Sequence, residues 1–225
     1  MSEWWTYGLR DLLLFSPRTY YRLFELHNLE WWPLPLATLA LGAVVLALAW
    51  RGGERAGRIA LALLAAGWLW VAWAWQLQRY APINWAAEYF AWMWGAQALL
   101  LFGAAAFARI GPAPRRLRLA GLVLLAFALV AYPLLAVALG RGWAQAEVFG
   151  MAPDPTALAT LGALLVLRLR HGGWLLAIPV AACLVSGATL WAMASPEFWI
   201  APLAAVLAAA CPLACRARHS ASAVV

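Results

Sequence analysis

Positive charge is sorted along this chain. All sixteen cationic side chains are arginine, and eleven of them fall in every second gap between apolar stretches: 51–58, 109–118, 168–171 and 216–219. The intervening gaps hold eight of the nine acids, so only Glu54 sits among the sorted arginines. Membrane insertion retains arginine on the cytoplasmic side of short loops, and the alternation predicts a multi-pass protein together with its orientation. Of the net charge of +7, about +10 falls on the inner side and −3 on the outer.

A composition that is 66% apolar and 11% charged supports this, since soluble domains carry roughly 25% charged residues. The arginines lie in short clusters at the ends of apolar stretches, not in a continuous stripe, so no nucleic-acid partner is expected. The expected surroundings are the lipid bilayer, with a larger membrane complex or a homo-oligomer as further partners. Cys183, Cys211 and Cys215 lie in apolar segments and are odd in number, which argues against a disulfide framework. The acidic, aromatic start Met1-Ser2-Glu3-Trp4-Trp5 lacks the basic region of a signal peptide.

Spanning a bilayer takes about 20 apolar residues. The pattern predicts an all-α bundle of seven transmembrane helices, at about 33–50, 59–77, 89–108, 119–139, 156–170, 174–194 and 199–215, within a membrane domain of residues 31–219. The fifth reaches membrane length only if Arg168 and Arg170 extend toward the interface. Residues 220–225 read as a disordered tail. Residues 1–30 read as an amphipathic segment lying in the outer interface. Within it Ser16-Pro17 is a helix start, and Tyr20, Leu23, Phe24 and His27 share a face opposite Arg18, Arg22 and Glu25. That segment is either a surface anchor or a lid.

Missing residues exclude several functions. There is no lysine for a retinal Schiff base and no Walker loop. His27, His171 and His219 lie outside or at the ends of spans, which disfavours b-type haem and leaves Ser186 without a histidine partner for proteolysis. Neither a cofactor nor a metal site is expected, and no residue is assigned a catalytic role. Cys211, Cys215 and His219 share a helix stripe, which reads as buried thiols and a frayed tail.

Gln97, the one strongly polar side chain near a span centre, reads as an interhelical tie with Ser186 and Thr189 as partners. Other polar groups gather toward the outer face, among them Gln76, Asn84, Glu88, Glu147, Asp154 and Thr156, with His27 and Asn28 from the entrance helix. Pro153-Asp154-Pro155-Thr156 caps the fifth span, and a short, proline-interrupted segment is the usual pointer to a transporter binding site. Most of the sixteen tryptophans form an outer aromatic belt. Around Trp70, Trp73 and Trp92 they are denser than a belt requires, enough to line a cavity for a cation or a flat hydrophobe.

The run Phe24-Glu-Leu-His-Asn28 with Trp32-Pro33 resembles a bacterial multi-pass family catalogued as domain of unknown function 6064. So do Ala81-Pro-Ile-Asn84, Ala131-Tyr-Pro133, Phe149-Gly150 with Pro153 to Thr156, and Ile178-Pro179 with Ser186-Gly187. The resemblance covers roughly residues 15–210 and implies a membrane fold in a bacterial inner membrane, with no activity attached. It marks Asn28, Asn84, Tyr132 and Thr156 as positions of interest. Members often carry a cysteine between the two prolines of the fifth-span cap, where this chain has Asp154, so a thiol role there is set aside. With the N-terminus outside and the C-terminus cytoplasmic, the outer-face candidates for ligand binding are His27, Asn28, Asn84, Glu88, Tyr132, Asp154 and Thr156. Three functions remain open: a small-solute or ion transporter component, a non-catalytic subunit of a membrane complex, and an enzyme acting on a lipid or quinone-like substrate.

Overall fold

The computed structural model describes residues 15–169 and 172–222. The opening Trp4 and Trp5, like His171, lie outside the described residues. Helix α1, Pro17–Glu30, starts as its sequence dictates: the Ser16 hydroxyl accepts from the Thr19 amide at 3.2 Å and proline takes the first turn. Its Tyr20, Leu23, Phe24, His27 and Asn28 are buried. They pack on the bundle itself, so the apolar face predicted for the bilayer interface is covered by protein.

Helices α2 (Leu34–Arg51) and α3 (Glu54–Trp70) are joined by Gly52 and Gly53, both at positive φ (73° and 92°), a reversal that glycine makes without strain. Helix α3 continues as a π-type stretch over Val71–Tyr80. Helix α4 spans Ala87–Phe107. Helix α5, Arg115–Ala126, loosens into a π turn at Phe127–Ala131 before α6, Tyr132–Ala138. Pro133 lacks the N–H that would hold the preceding turn, which accounts for the widening there. Helices α7 (Pro153–Val166), α8 (Ala177–Ala192) and α9 (Ile200–Ser222) complete the bundle.

Five segments are long and apolar enough to cross a membrane: Leu34–Arg51, Glu54–Tyr80, Ala87–Phe107, Arg115–Ala138 and Gly172–Ala192. They coincide with five of the seven predicted spans. In α9 the sequence is apolar from Ile200 to Cys215, a shorter stretch than in the other five. Helix α9 continues through Ser222, so the tail predicted from residue 220 is helical there, and residues 223–225 lie outside the described ones.

The fifth predicted span differs most. It stops at Val166, and Leu167–Leu169 (β2) pairs antiparallel with Ile110–Pro112 (β1), Ile110 facing Leu169. Arg168 therefore lies on a short ribbon where the predicted span continued as helix, and Arg170 lies outside the described residues. Helix α7 is 14 residues, about 21 Å at 1.5 Å each, and Asp154 through Val166 are all buried. A helix apolar on every face belongs inside a bundle. Its close crossing with α5 depends on two glycines: a Cβ on Gly121 would lie 2.5 Å from the Gly162 carbonyl oxygen.

The bundle has two unlike ends. At one, Arg58 donates to the carbonyls of Ala105 at 2.7 Å and Ala108 at 3.3 Å, and Arg118 donates to Trp50 O. Cations placed on the last carbonyls of α2 and α4 suit both the unpaired acceptors and the helix dipole. The β1–β2 ribbon lies at this same end, where Gly57 backs onto Ile110 and Leu167. At the other end α1 lies across the bundle among the acids.

Candidate functional site

Asp154 is the second residue of α7 and only 3% exposed. The Tyr132 hydroxyl, on the first turn of α6 just past the π turn, donates to its Oδ2 at 2.7 Å, and the Ser186 hydroxyl of α8 donates to the same oxygen at 2.6 Å. Beside it lies a cleft walled by Trp75, Gln76 and Tyr80 from the π stretch, Trp94 from α4 and Tyr20 from α1. The cleft encloses about 40 Å³ open to a water-sized sphere; at roughly 10–15 Å³ per water that is room for about three. Phe90, Met93, Val185 and Thr189 form its α4 and α8 sides.

A second buried polar group lies at the same end. Arg141 pairs with Glu197 at 3.0 Å and stands 3.8 Å from Glu147. Its guanidinium carbon sits 3.9 Å above the Tyr21 ring, a cation–π contact. The Tyr21 hydroxyl donates to Glu197 at 2.7 Å and lies 3.0 Å from Ser195 Oγ. The cluster thus fastens α1 to the α6–α7 and α8–α9 loops. Burial pushes the Glu147 carboxyl up to about 8, with the charge of Asp154 adding to the effect and Arg141 opposing it.

Sequence-predicted residues divide between these groups and structural ties. Asp154 and Tyr132 meet directly. Thr156 is a tie: its hydroxyl donates to Ala152 O at 2.7 Å and accepts from the Gly150 amide at 2.8 Å, holding the turn that aims α7. Asn28 donates to the carbonyls of Ala144 and Ala146, both at 2.8 Å, docking α1 on the 139–152 loop. Asn84 accepts from the Ala86 amide at 3.0 Å, a turn that sets up α4. His27 is fully buried against the edge of Trp75, 5.5 Å between centroids, with neither ring nitrogen hydrogen-bonded. Burial, with Arg79 adding, holds it down to about 4, so it is neutral at pH 7.

Glu88 is exposed on the first turn of α4. Of Glu88, Asp154 and His27, only Asp154 lines the cleft, and no convergent acid–base pair forms there. The aromatic wall is also displaced from prediction. Trp92 is 81% exposed, and Trp70 packs edge-on against Trp31 and Trp73, while Trp75 and Trp94 face the cleft. Gln97 donates to Leu175 O at 3.1 Å, not to Ser186 or Thr189, whose hydroxyls donate to Asp154 and to Val185 O. On α9, Cys211 is partly buried, and the side chains of Cys215 and His219 lie outside the described residues.

Arg141, Glu197 and Tyr21 were not singled out from the sequence. One signal was present: Arg141 is an arginine stranded on the acidic side of the charge alternation, in the same loop as Glu147.

The sequence model of a family of unknown function, DUF6064, matches residues 18–223. No curated protein and no solved structure matches the chain.

Proposed function

We propose, for a chain that belongs to the DUF6064 family, a multi-pass membrane protein that binds a small solute or ion in the cleft beside Asp154, as a transporter or permease component. The five crossing-length helices and the arginines gathered at one end support a membrane setting with that end in the cytoplasm. On this reading α1 and the cleft face outward, in a bacterial inner membrane. Helix α7 makes a further crossing although it is short, because α2, α3, α5, α8 and α9 surround it and it need not meet lipid. Helix α9 makes the seventh.

One observation carries the reading: a buried carboxyl at the start of an enclosed helix, bordering a small cleft. Ionisable groups at such depth are costly and are the first functional candidates in a membrane protein. The direct test places a cysteine at Ser186, in a chain with Cys183, Cys211 and Cys215 replaced by alanine. A small membrane-impermeant thiol reagent added from the acidic side should modify it, and free solute should slow that modification. No labelling from that side sinks the outward-facing site.

A second reading, a non-catalytic subunit or homo-oligomer, draws on α2, the crossing-length helix that buries the smallest share of its length. Its outer face is available to lipid or to another helix. Gentle-detergent extraction followed by mass spectrometry separates these: a stoichiometric partner supports the subunit reading, and a lone protein removes it.

A further inference from the structure

We infer that the cleft recognises an ammonium group, presented either by a small free amine or by the headgroup of an aminophospholipid. This rests on the site proposed above and specifies its ligand.

Four features converge on that chemistry. Asp154 has no cationic partner: Arg141 is engaged with Glu197 and Glu147, Arg79 with Glu30, and no ion pair among the described residues reaches Asp154. A bound cation would supply the countercharge that burial otherwise denies this carboxyl. Both protein hydroxyls donate to Oδ2, which leaves Oδ1 for a ligand. Gln76, also 3% exposed, lines the same cleft, and its Oε1 is buried without a donor. A buried unpaired acceptor is costly, and an ammonium carries enough N–H groups to satisfy both the carboxylate and the amide oxygen. Trp75, Trp94, Tyr20, Tyr80 and Phe90 line the cleft, side chains of the aromatic class that attracts cations. A quaternary ammonium has no N–H and so can satisfy neither acceptor.

The alternatives fit less well. An anion would meet Asp154 with no free arginine opposite. Among the described residues no group of three His, Cys, Asp or Glu side chains is placed to hold a metal.

The test uses the full-length protein in detergent, with unfolding followed by tryptophan fluorescence. Methylammonium chloride should raise the melting temperature saturably, by about 5 °C at a hundredfold excess over Kd. Sodium chloride and tetramethylammonium chloride at equal concentration should not. Asp154→Asn should abolish the shift. Gln76→Leu removes the orphan acceptor, so it should unfold at the same or a higher temperature without ligand, yet need at least a severalfold higher methylammonium concentration. That combination is not what a merely structural glutamine would give, and it decides the matter if Asp154→Asn does not fold. Adding phosphatidylethanolamine, but not phosphatidylglycerol, should occupy the site and blunt the methylammonium shift if a lipid is the source; no competition identifies a free amine. A methylammonium shift no larger than that of sodium, or one unchanged in Gln76→Leu, overturns the proposal. Labelling of the Ser186→Cys protein separates the two failures: labelled but insensitive to ammonium retains the site and rejects this ligand, whereas unlabelled rejects both.

Discussion

The two ends of the bundle handle charge in opposite ways. At the arginine end, cations lie near the surface and donate to helix-terminal carbonyls, as Arg58 and Arg118 do, and the connections are a two-glycine reversal and a short β ribbon. At the acidic end, Asp154, Glu147 and Glu197 are all buried, served by one guanidinium and a few hydroxyls. Orphaned atoms gather there too, on His27, Gln76, Arg141 and Glu197. Both π-type stretches run toward that end, one bearing Trp75, Gln76 and Tyr80 and the other leading into Tyr132. Buried polar groups that are incompletely satisfied cost stability, and departures from regular helix are frequent at functional sites. The arginine end anchors, and the acidic end spends stability on a site.

If that contrast is real, the ends should respond differently to mutation and to pH. The largest effect should come from Arg141→Met, which strips the counterion from Glu197; a loss of about 3–5 kcal/mol is expected for breaking a buried pair on one side, read by denaturant titration in detergent. Asn28→Ala leaves the Ala144 and Ala146 carbonyls without their side-chain donor and should cost about 2 kcal/mol. It should also speed proteolysis of the 139–152 loop.

The pH dependence comes next. Glu147 is raised from 4.5 to about 8, so the stability it contributes is complete below about pH 4.5 and is lost as pH rises through 8. His27 is lowered from 6.5 to about 4, so its contribution is present above pH 6.5 and lost as pH falls toward 4. Between pH 4.5 and 6.5 the two oppose each other. Between 6.5 and 8 only Glu147 of these two titrates, and its own share of the stability should fall by at most about 1.4 kcal/mol per pH unit. Unfolding midpoints measured from pH 4 to 9 should show that slope, and Glu147→Gln should flatten it. A slope that survives Glu147→Gln assigns it to another group. The smallest effect is expected at the arginine end, where Arg58→Gln should cost no more than about 1 kcal/mol.

How legible each region was follows from how local its determinants are. The apolar face of α1, its Ser16-Pro17 start and five crossing-length helices were readable because each depends on spacing within one segment. The end of α7 was readable but missed: Leu167-Arg168-Leu169-Arg170 alternates apolar and charged with period two, a strand pattern, and the need for membrane length overrode it. Asp154 and Tyr132 were identifiable separately, though nothing local joined them. The Tyr21–Arg141–Glu197 cluster assembles from α1 and two distant loops, 176 residues apart at the Tyr21–Glu197 bond. No periodicity could bring it together. Trp92 was misplaced by a lack of facing information: Trp92 and Trp94 are two residues apart, hence on opposed sides of α4, and density of tryptophan does not say which one turns inward.

The shortness of α7 has an electrical consequence. On the proposed topology its roughly 21 Å replaces a hydrocarbon layer of about 30 Å, and its acid-bearing start lies below the outer surface at the foot of a water-sized cleft. The membrane voltage therefore drops over a shorter path here than through the surrounding lipid, and a cation on Asp154 sits partly within it. Crossing the whole potential changes the energy of a unit charge by about 2.3 kcal/mol per 100 mV. A cation held at Asp154 feels only the fraction of that potential that falls outside it, so on the proposed topology its affinity should differ between energised and de-energised membranes by less than that amount.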